Sequence, residues 1–426
     1  MTVERCRTGK RSAEPCGDGF ARENSVEFGK GESRFREEKV KKPKRVDIGE
    51  RIVLDDERCI MCSRCIRFMH EVAHDDVLGF LNRGSHTKLS VYPGKRLANT
   101  YSLNTVDICP VGALTSKDFR FKMRVWFLKE TKSIDVTCGT GSNIVIWSRE
   151  NIVHRITPRE NDFVNSCWMP DSHRMNFHHL HSDARLQAPV VKGEEAPATW
   201  PRAIAAAAEQ LRGRNPSEMA IIASARLSNE ELFLVRRLAA ALKIDNVDVL
   251  PRPQTGDGFL VSNDGNPNTT GAKMLGLATG KLSEIVQGVE SGKISGLIVL
   301  GEDAVDCGIS ADSLRKLGAL VVMGISANRT TEHATALLPS SAWAEKRGTM
   351  INLKGRLQRF NQAIQPPGLA REDWEILRDL IQAISGSNGI YTVEEVFKQM
   401  AAEVPALQGL TISRIGDLGV QLSLTA

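Results

Sequence analysis

The chain has 426 residues, 41% of them apolar and 25% charged, with a formal net charge of +5. That length holds two or three domains with buried cores, and the mild charge gives no support for a nucleic-acid partner. Nine cysteines, an odd number, argue against a disulfide framework and for a reducing compartment; no apolar run is long enough to span a bilayer, and the polar N-terminus has no signal-peptide core.

Residues 1–50 are polar and charged, with little periodic apolar pattern. Their richest basic stretch, Lys39 to Arg45, lacks interleaved aromatics and reads as a solvated arm suited to an acidic partner. Residues 51–128 form a module of their own. Arg51 to Leu54 reads as a short strand leading into Cys59-Ile60-Met61-Cys62-Ser63-Arg64-Cys65, and Cys109 follows later, directly before Pro110. Three thiols at i, i+3 and i+6 in a tight turn can converge on one face of an iron–sulfur cubane, whose fourth iron needs one more thiolate. In two-cluster ferredoxins the Cys-Pro cysteine serves the other cluster. Only one such triplet exists here, so Cys109 is expected to close the same [4Fe–4S] cluster. A structural zinc site, the competing use of grouped thiols, favours two separated pairs. Arg58, Arg64 and Arg67 bring positive charge near an anionic cluster and favour its reduced form. A short helix is expected near Cys65, with His70 and His74 one turn apart on its surface, and Val111 to Leu114 reads as a turn followed by a helix start.

Residues 130–185 alternate in the β manner, through Ile134 and Val136, Ile144 to Ile146, then Ile152, Val153 and Ile156. They predict a small antiparallel sheet. The histidines His173, His178, His179 and His181 crowd one stretch without a carboxylate or thiol framework, and are expected to pack in a connecting loop. From residue 186 to 426 the pattern is that of an α/β domain. Helices are predicted at Trp200–Leu211, Glu230–Leu242, Leu282–Glu290 and Ser310–Leu317. They alternate with strands at Met219–Ala223, Val247–Leu250, Gly296–Gly301 and Ala319–Gly324, as in a parallel sheet. No Gly-x-Gly-x-x-Gly or P-loop follows any strand, so a nicotinamide site is not supported.

Several segments together resemble a known family, the large iron–sulfur subunit (the G subunit, 75-kDa type) of NADH–quinone oxidoreductase, respiratory complex I. They are Gly31 to Phe35 with Lys41 to Lys44, Leu54 to Phe68, Asp107 to Leu114, Pro158 to Asn161, and Trp168 to Asp171. Ala336 to Pro339, Glu345 to Thr349 and Asn352 to Arg356 resemble the molybdopterin-oxidoreductase fold that the family carries, usually without molybdenum. Family members usually begin with a [2Fe–2S] domain and a segment whose one His and three Cys bind a second [4Fe–4S] cluster. This chain has no histidine before His70, and only Cys6 and Cys16 precede the triplet. A truncated or frame-shifted gene start, or a separate chain carrying that domain, is the expectation. A further cluster at the start of the molybdopterin-like region is also not expected: Cys138 stands alone, with Ser142 and Pro170 where relatives place cysteine, and Cys167 and Cys307 read as packing residues.

The resemblance implies an electron relay with one [4Fe–4S] cluster and neither [2Fe–2S] nor molybdenum. Its partners would be other peripheral-arm subunits, including the flavin- and NADH-binding one. The chain would lie on the cytoplasmic side of the bacterial inner membrane, reaching the membrane only through partners. The competing classes are a formate dehydrogenase-like molybdopterin enzyme and a non-redox assembly scaffold.

Overall fold

The structure, a computed structural model, describes residues 28–29, 36, 40–194, 197–386 and 389–423. Cys6 and Cys16 lie outside them. The chain divides into two compact units: one runs to Glu130 and resumes at Ile144–Phe177, the other comprises Thr131–Asn143 and everything from His178 onward.

The first unit is built on a three-stranded antiparallel sheet. Its central strand, Ile52–Leu54, is buried along its whole length, as its unbroken apolar sequence predicts. It pairs on one side with Val46–Asp47 and on the other with Leu114–Ser116, in the register Ile52 to Ser116 and Leu54 to Leu114. The expected helix start after Cys109 is therefore a strand. Gly112 turns the chain at φ +64°, and the ladder to Ile52–Leu54 then fixes an extended conformation that local propensity did not announce. The helix Arg64–Glu71 buries Phe68 and Met69, and the Phe68 ring meets Trp168 at 4.7 Å between centroids. It ends before His74, which stands outside it at φ +51°. His70 pairs with Asp76 at 2.6 Å on the exposed surface. The basic arm is not wholly free either: Lys42 donates to the Thr87 carbonyl at 2.6 Å, and Lys44 pairs with Glu57 at 3.1 Å.

The β pattern beyond residue 140 forms a hairpin, Asn143–Arg149 against Ile152–Pro158. Glu150 and Asn151 turn it at φ +52° and +64°, the two left-handed residues that match the twist of a tight hairpin.

The second unit carries a six-stranded sheet in the order Val247–Val249, Met219–Ala223, Gly296–Leu300, Ala319–Gly324, Ala336–Pro339, Val190–Val191. The first five strands run parallel and the last is an antiparallel edge. Alternate residues feed opposite cores. Ile221, Ile298, Val321 and Met323 face one cluster, while Ile222, Val299, Leu320 and Val322 face the other. This two-sided burial is why these strands read as continuous apolar runs. The predicted helices appear at Trp200–Leu211, Asn229–Leu242, Leu282–Glu290 and Ala311–Lys316. Ser228 and Glu231 form a reciprocal cap on the second of them, satisfying N–H groups that a helix start leaves open.

Glu345 and Lys346 are buried in charged pairs within this unit. Lys346 Nζ reaches Glu231 at 2.8 Å and Asp373 at 2.7 Å, and Arg185 meets Glu345 at 2.6 Å. Burial opposes the Lys346 charge, yet Asp373 and Glu231 overcome it and hold its pKa above the ordinary lysine value.

A four-cysteine recess as the candidate metal centre

The sheet of the first unit decides how four distant thiols meet. Cys59 lies as far beyond Leu54 as Cys109 lies before Leu114, and Leu54 and Leu114 face each other in the ladder. The pairing extends one step further, since Asp55 N donates to Ala113 O at 2.7 Å. The two cysteines therefore leave adjoining strand ends on the same side. Cys109 caps the helix Asn104–Ile108 with an extended backbone, the conformation that a following proline imposes.

Between Cys59 and Cys65 the loop is curled by Met61 at φ +53° and Ser63 at φ +58°. These two left-handed residues flank Cys62 and reverse the chain twice within one turn. Such conformations cost a non-glycine residue about 1–2 kcal/mol each, a cost borne where the loop must be shaped. Ser63 O then accepts from Arg67 N at 2.9 Å, which starts the helix and seats Cys65 in its first turn.

Cys59, Cys62, Cys65 and Cys109 all line one recess of about 350 Å³, counting the space open to solvent. None of the four is in a disulfide. The remaining wall is apolar apart from Ser63 and Arg64, and includes the buried Leu89 and Leu114. Burial pushes the Cys65 thiol up to about 12, and nearby Cys109, Cys59 and Cys62 add to the rise. Cys59 is raised for the same leading reason, against which a hydrogen bond from the Met61 backbone stabilises its thiolate. Burial and the repulsion that neighbouring thiolates would exert both favour the protonated forms of Cys59 and Cys65. Binding iron must displace those protons. The donor set fits a [4Fe–4S] cluster, which takes one cysteine thiolate at each iron. No group of three or more His, Cys, Asp or Glu placed to hold a single metal ion is found among the described residues.

The charges singled out in the sequence behave differently from one another. Arg58 is engaged by Asp55 at 3.3 Å, Arg64 lines the recess, and Arg67 is exposed one turn along the helix. Sequence reasoning missed Asp56, which is buried with neither carboxylate oxygen hydrogen-bonded and whose charge acts on Cys59. Its signal was adjacency to the triplet, but surface acids look the same in sequence.

The other candidates are placed elsewhere. Cys138 is buried in the second unit and donates to the Leu260 carbonyl at 3.7 Å. Cys307 donates to the Asp303 carbonyl at 3.7 Å, its thiol pushed up to about 12 by burial and by Glu302 and Asp306. His173 is buried in the turn Asp171–Arg174, and His178, His179 and His181 sit in a short 3-10 segment.

Three family models match the chain. Residues 49–115, which include all four cysteines of the recess, match "NADH-quinone oxidoreductase subunit 3, ferredoxin-like domain". Residues 128–178 match "NADH-ubiquinone oxidoreductase NDSU1/NuoG-like, 4Fe-4S domain", and residues 244–383 match "Molybdopterin oxidoreductase". The NADH-quinone oxidoreductase G subunit of Rickettsia felis is 27% identical over 89% of this chain and 74% of its own length. The mitochondrial NADH-ubiquinone oxidoreductase 78 kDa subunit of Candida albicans is 28% identical over 87% of this chain and 69% of its own. Mitochondrial NADH dehydrogenase [ubiquinone] iron-sulfur protein 1 of Solanum tuberosum is 38% identical over 58% of this chain and 32% of its own. The chain spans only about a third of the length of several further relatives.

Proposed function

Since the chain belongs to the family of the large iron–sulfur subunit, the G subunit, of NADH–quinone oxidoreductase, we propose that it relays electrons from NADH and flavin toward quinone through one [4Fe–4S] cluster held by Cys59, Cys62, Cys65 and Cys109. The observation that carries this reading is the convergence of those four thiols on one apolar recess. When bound, the cluster supplies a one-electron couple. The chain's own residues ligate it, and the wall from Leu89 to Leu114 keeps water from it. Asp56 adds negative charge beside Cys59, while Arg64 adds positive charge at the rim.

We assign the cluster module to residues 51–128, a β-rich segment to 130–185 and the molybdopterin-oxidoreductase-like domain to 186–426. The stretch matched by the second 4Fe-4S family model holds only Cys138 and Cys167, too few thiols for a cysteine-ligated cluster, so we assign it none. Nor do we assign molybdenum: Cys307 is the one cysteine of the sequence from residue 168 onward and stands in no metal-ligating motif. The partners in this reading are other peripheral-arm subunits, including the flavin-bearing one, on the cytoplasmic side of the membrane. No helix among the described residues is long and apolar enough to cross a membrane.

Anaerobic reconstitution of the full chain tests the assignment. Iron near four per chain and a reduced-cluster paramagnetic signal are expected, with both lost in Cys62→Ala. Zinc without iron in the wild-type chain would overturn it.

A further inference from the structure

Cys65 opens the helix Arg64–Glu71 and Cys109 closes the helix Asn104–Ile108. A turn far beyond them in sequence, residues 168–174, belongs to the same compact unit and meets both helices. Its Trp168 ring packs on Phe68, three residues after Cys65. Met169 and Asn104 exchange two hydrogen bonds: Asn104 Nδ2 donates to the Met169 carbonyl at 2.9 Å, and Asn104 Oδ1 accepts from Met169 N at 3.1 Å. Asp171 N donates to the Thr100 carbonyl at 2.7 Å, and its carboxylate accepts from Ser102 and Leu103 at the entry to the second helix.

The turn ends in a charge pair. Arg174 donates to Asp107 at 2.6 Å, and the same nitrogen reaches Asn104 Oδ1 at 3.4 Å. The two side chains are only 8% and 19% exposed, so salt screens their attraction little. Asp107 stands two residues before Cys109, and Asn104 opens the same helix, so one guanidinium ties its two ends together. A helix of five residues does not hold its own shape. Beyond Cys109 the chain is fixed by the ladder to Ile52–Leu54; before it, the bonds from residues 168–174 do that work.

We propose that Arg174, acting through Asp107, is a positioning residue for the cluster, setting Cys109 at the place the fourth thiolate must occupy. The inference rests on the cluster assignment above. It extends the cluster site beyond residues 51–128, into the segment that follows. Without Arg174 the Asp107 carboxylate is left half-buried without its cation, which is costly, and the helix that presents Cys109 loses the tie between its ends.

The test reconstitutes the full chain anaerobically and compares wild type with Arg174→Met, Asp107→Asn, the double variant and Arg174→Lys, at a temperature where circular dichroism shows each of them folded. Arg174→Met should release iron to a chelator about tenfold faster than wild type and alter the line shape of the reduced cluster's paramagnetic signal. Asp107→Asn should change both in the same direction. Arg174→Lys, which keeps the charge, should recover most of the retention. Because the two residues act as one unit, the double variant should lose iron no faster than Arg174→Met alone. A lowered melting temperature with wild-type release and line shape would make the pair a contact of the fold only and overturn the proposal. Additive effects of the two single changes would overturn it as well. If Arg174→Met does not fold, Asp107→Asn decides: wild-type release and line shape in that variant overturn the proposal. A wild-type chain that takes up no iron defeats the cluster assignment instead.

Discussion

At the residue scale, burial decides the chemistry of single groups that look ordinary in sequence. Asp171 follows Trp168-Met169-Pro170, and nothing local distinguishes it from a surface acid. In the fold it accepts from Ser102 Oγ at 2.6 Å and Leu103 N at 3.0 Å. Burial nevertheless pushes its pKa up to about 6 from 3.8, while Ser102 and Arg174 pull the other way. Between roughly pH 4 and 6 the folded chain therefore holds a proton that the unfolded chain has released, and stability falls as pH rises through that window. Above it the contribution is constant. A rise from 3.8 to about 6 corresponds to about 3 kcal/mol. In Asp171→Asn this contribution is absent, so wild-type stability minus variant stability should fall from pH 4 to pH 6.5, as read by denaturant unfolding at each pH. A difference that is flat with pH would contradict the assignment. The Cys65 thiol illustrates the same dependence on depth: its place in the triplet was legible, its rise to about 12 was not.

At the scale of elements, the strand Leu114–Ser116 and the turn before it hold Cys109 against the triplet. Gly112 makes that turn in the left-handed region, where a Cβ costs about 1–2 kcal/mol. Gly112→Val should lower stability by at least that much, valine being β-branched. It should also weaken cluster retention while leaving all four ligands in place, measured as iron loss to a chelator over time. Retention equal to wild type would show that Cys109 is positioned by something other than this turn. Elements with strong local signals were legible, including Trp200–Leu211, Met219–Ala223 and Leu282–Glu290. Val111 to Leu114 reads as a helix start because a turn before a packed apolar residue suits either state, and only the ladder to Ile52–Leu54 chooses between them.

At the scale of the molecule, the second unit is a parallel sheet covered on both faces, with charged groups sealed inside it. Lys346 bridges Glu231, on the helix Asn229–Leu242, to Asp373, on the helix Asp373–Ser385. Lys346→Met would leave two carboxylates facing each other without a cation, and should cost about 3–5 kcal/mol. Thermal and denaturant unfolding of the full chain measure this. A loss under about 1 kcal/mol would mean that the acids take up protons at little cost, a route open to Glu231, whose pKa burial already pushes up to about 7 against the pull of Lys346.

The sequence by itself determined the four thiols and their order, the run of alternating strands and helices from Met219 to Gly324, and the resemblance to a family. Each is carried by spacing or periodicity over a few residues, which the chain states locally. Only the tertiary structure decided that Cys109 stands beside Cys59, that Ile60, Met61 and Phe80 line one recess, and that Lys346 is buried between two acids. These depend on the register of paired strands and on packing between segments far apart in the chain. A one-residue slip in that register would turn every side chain to the other face of the sheet without changing a single local pattern.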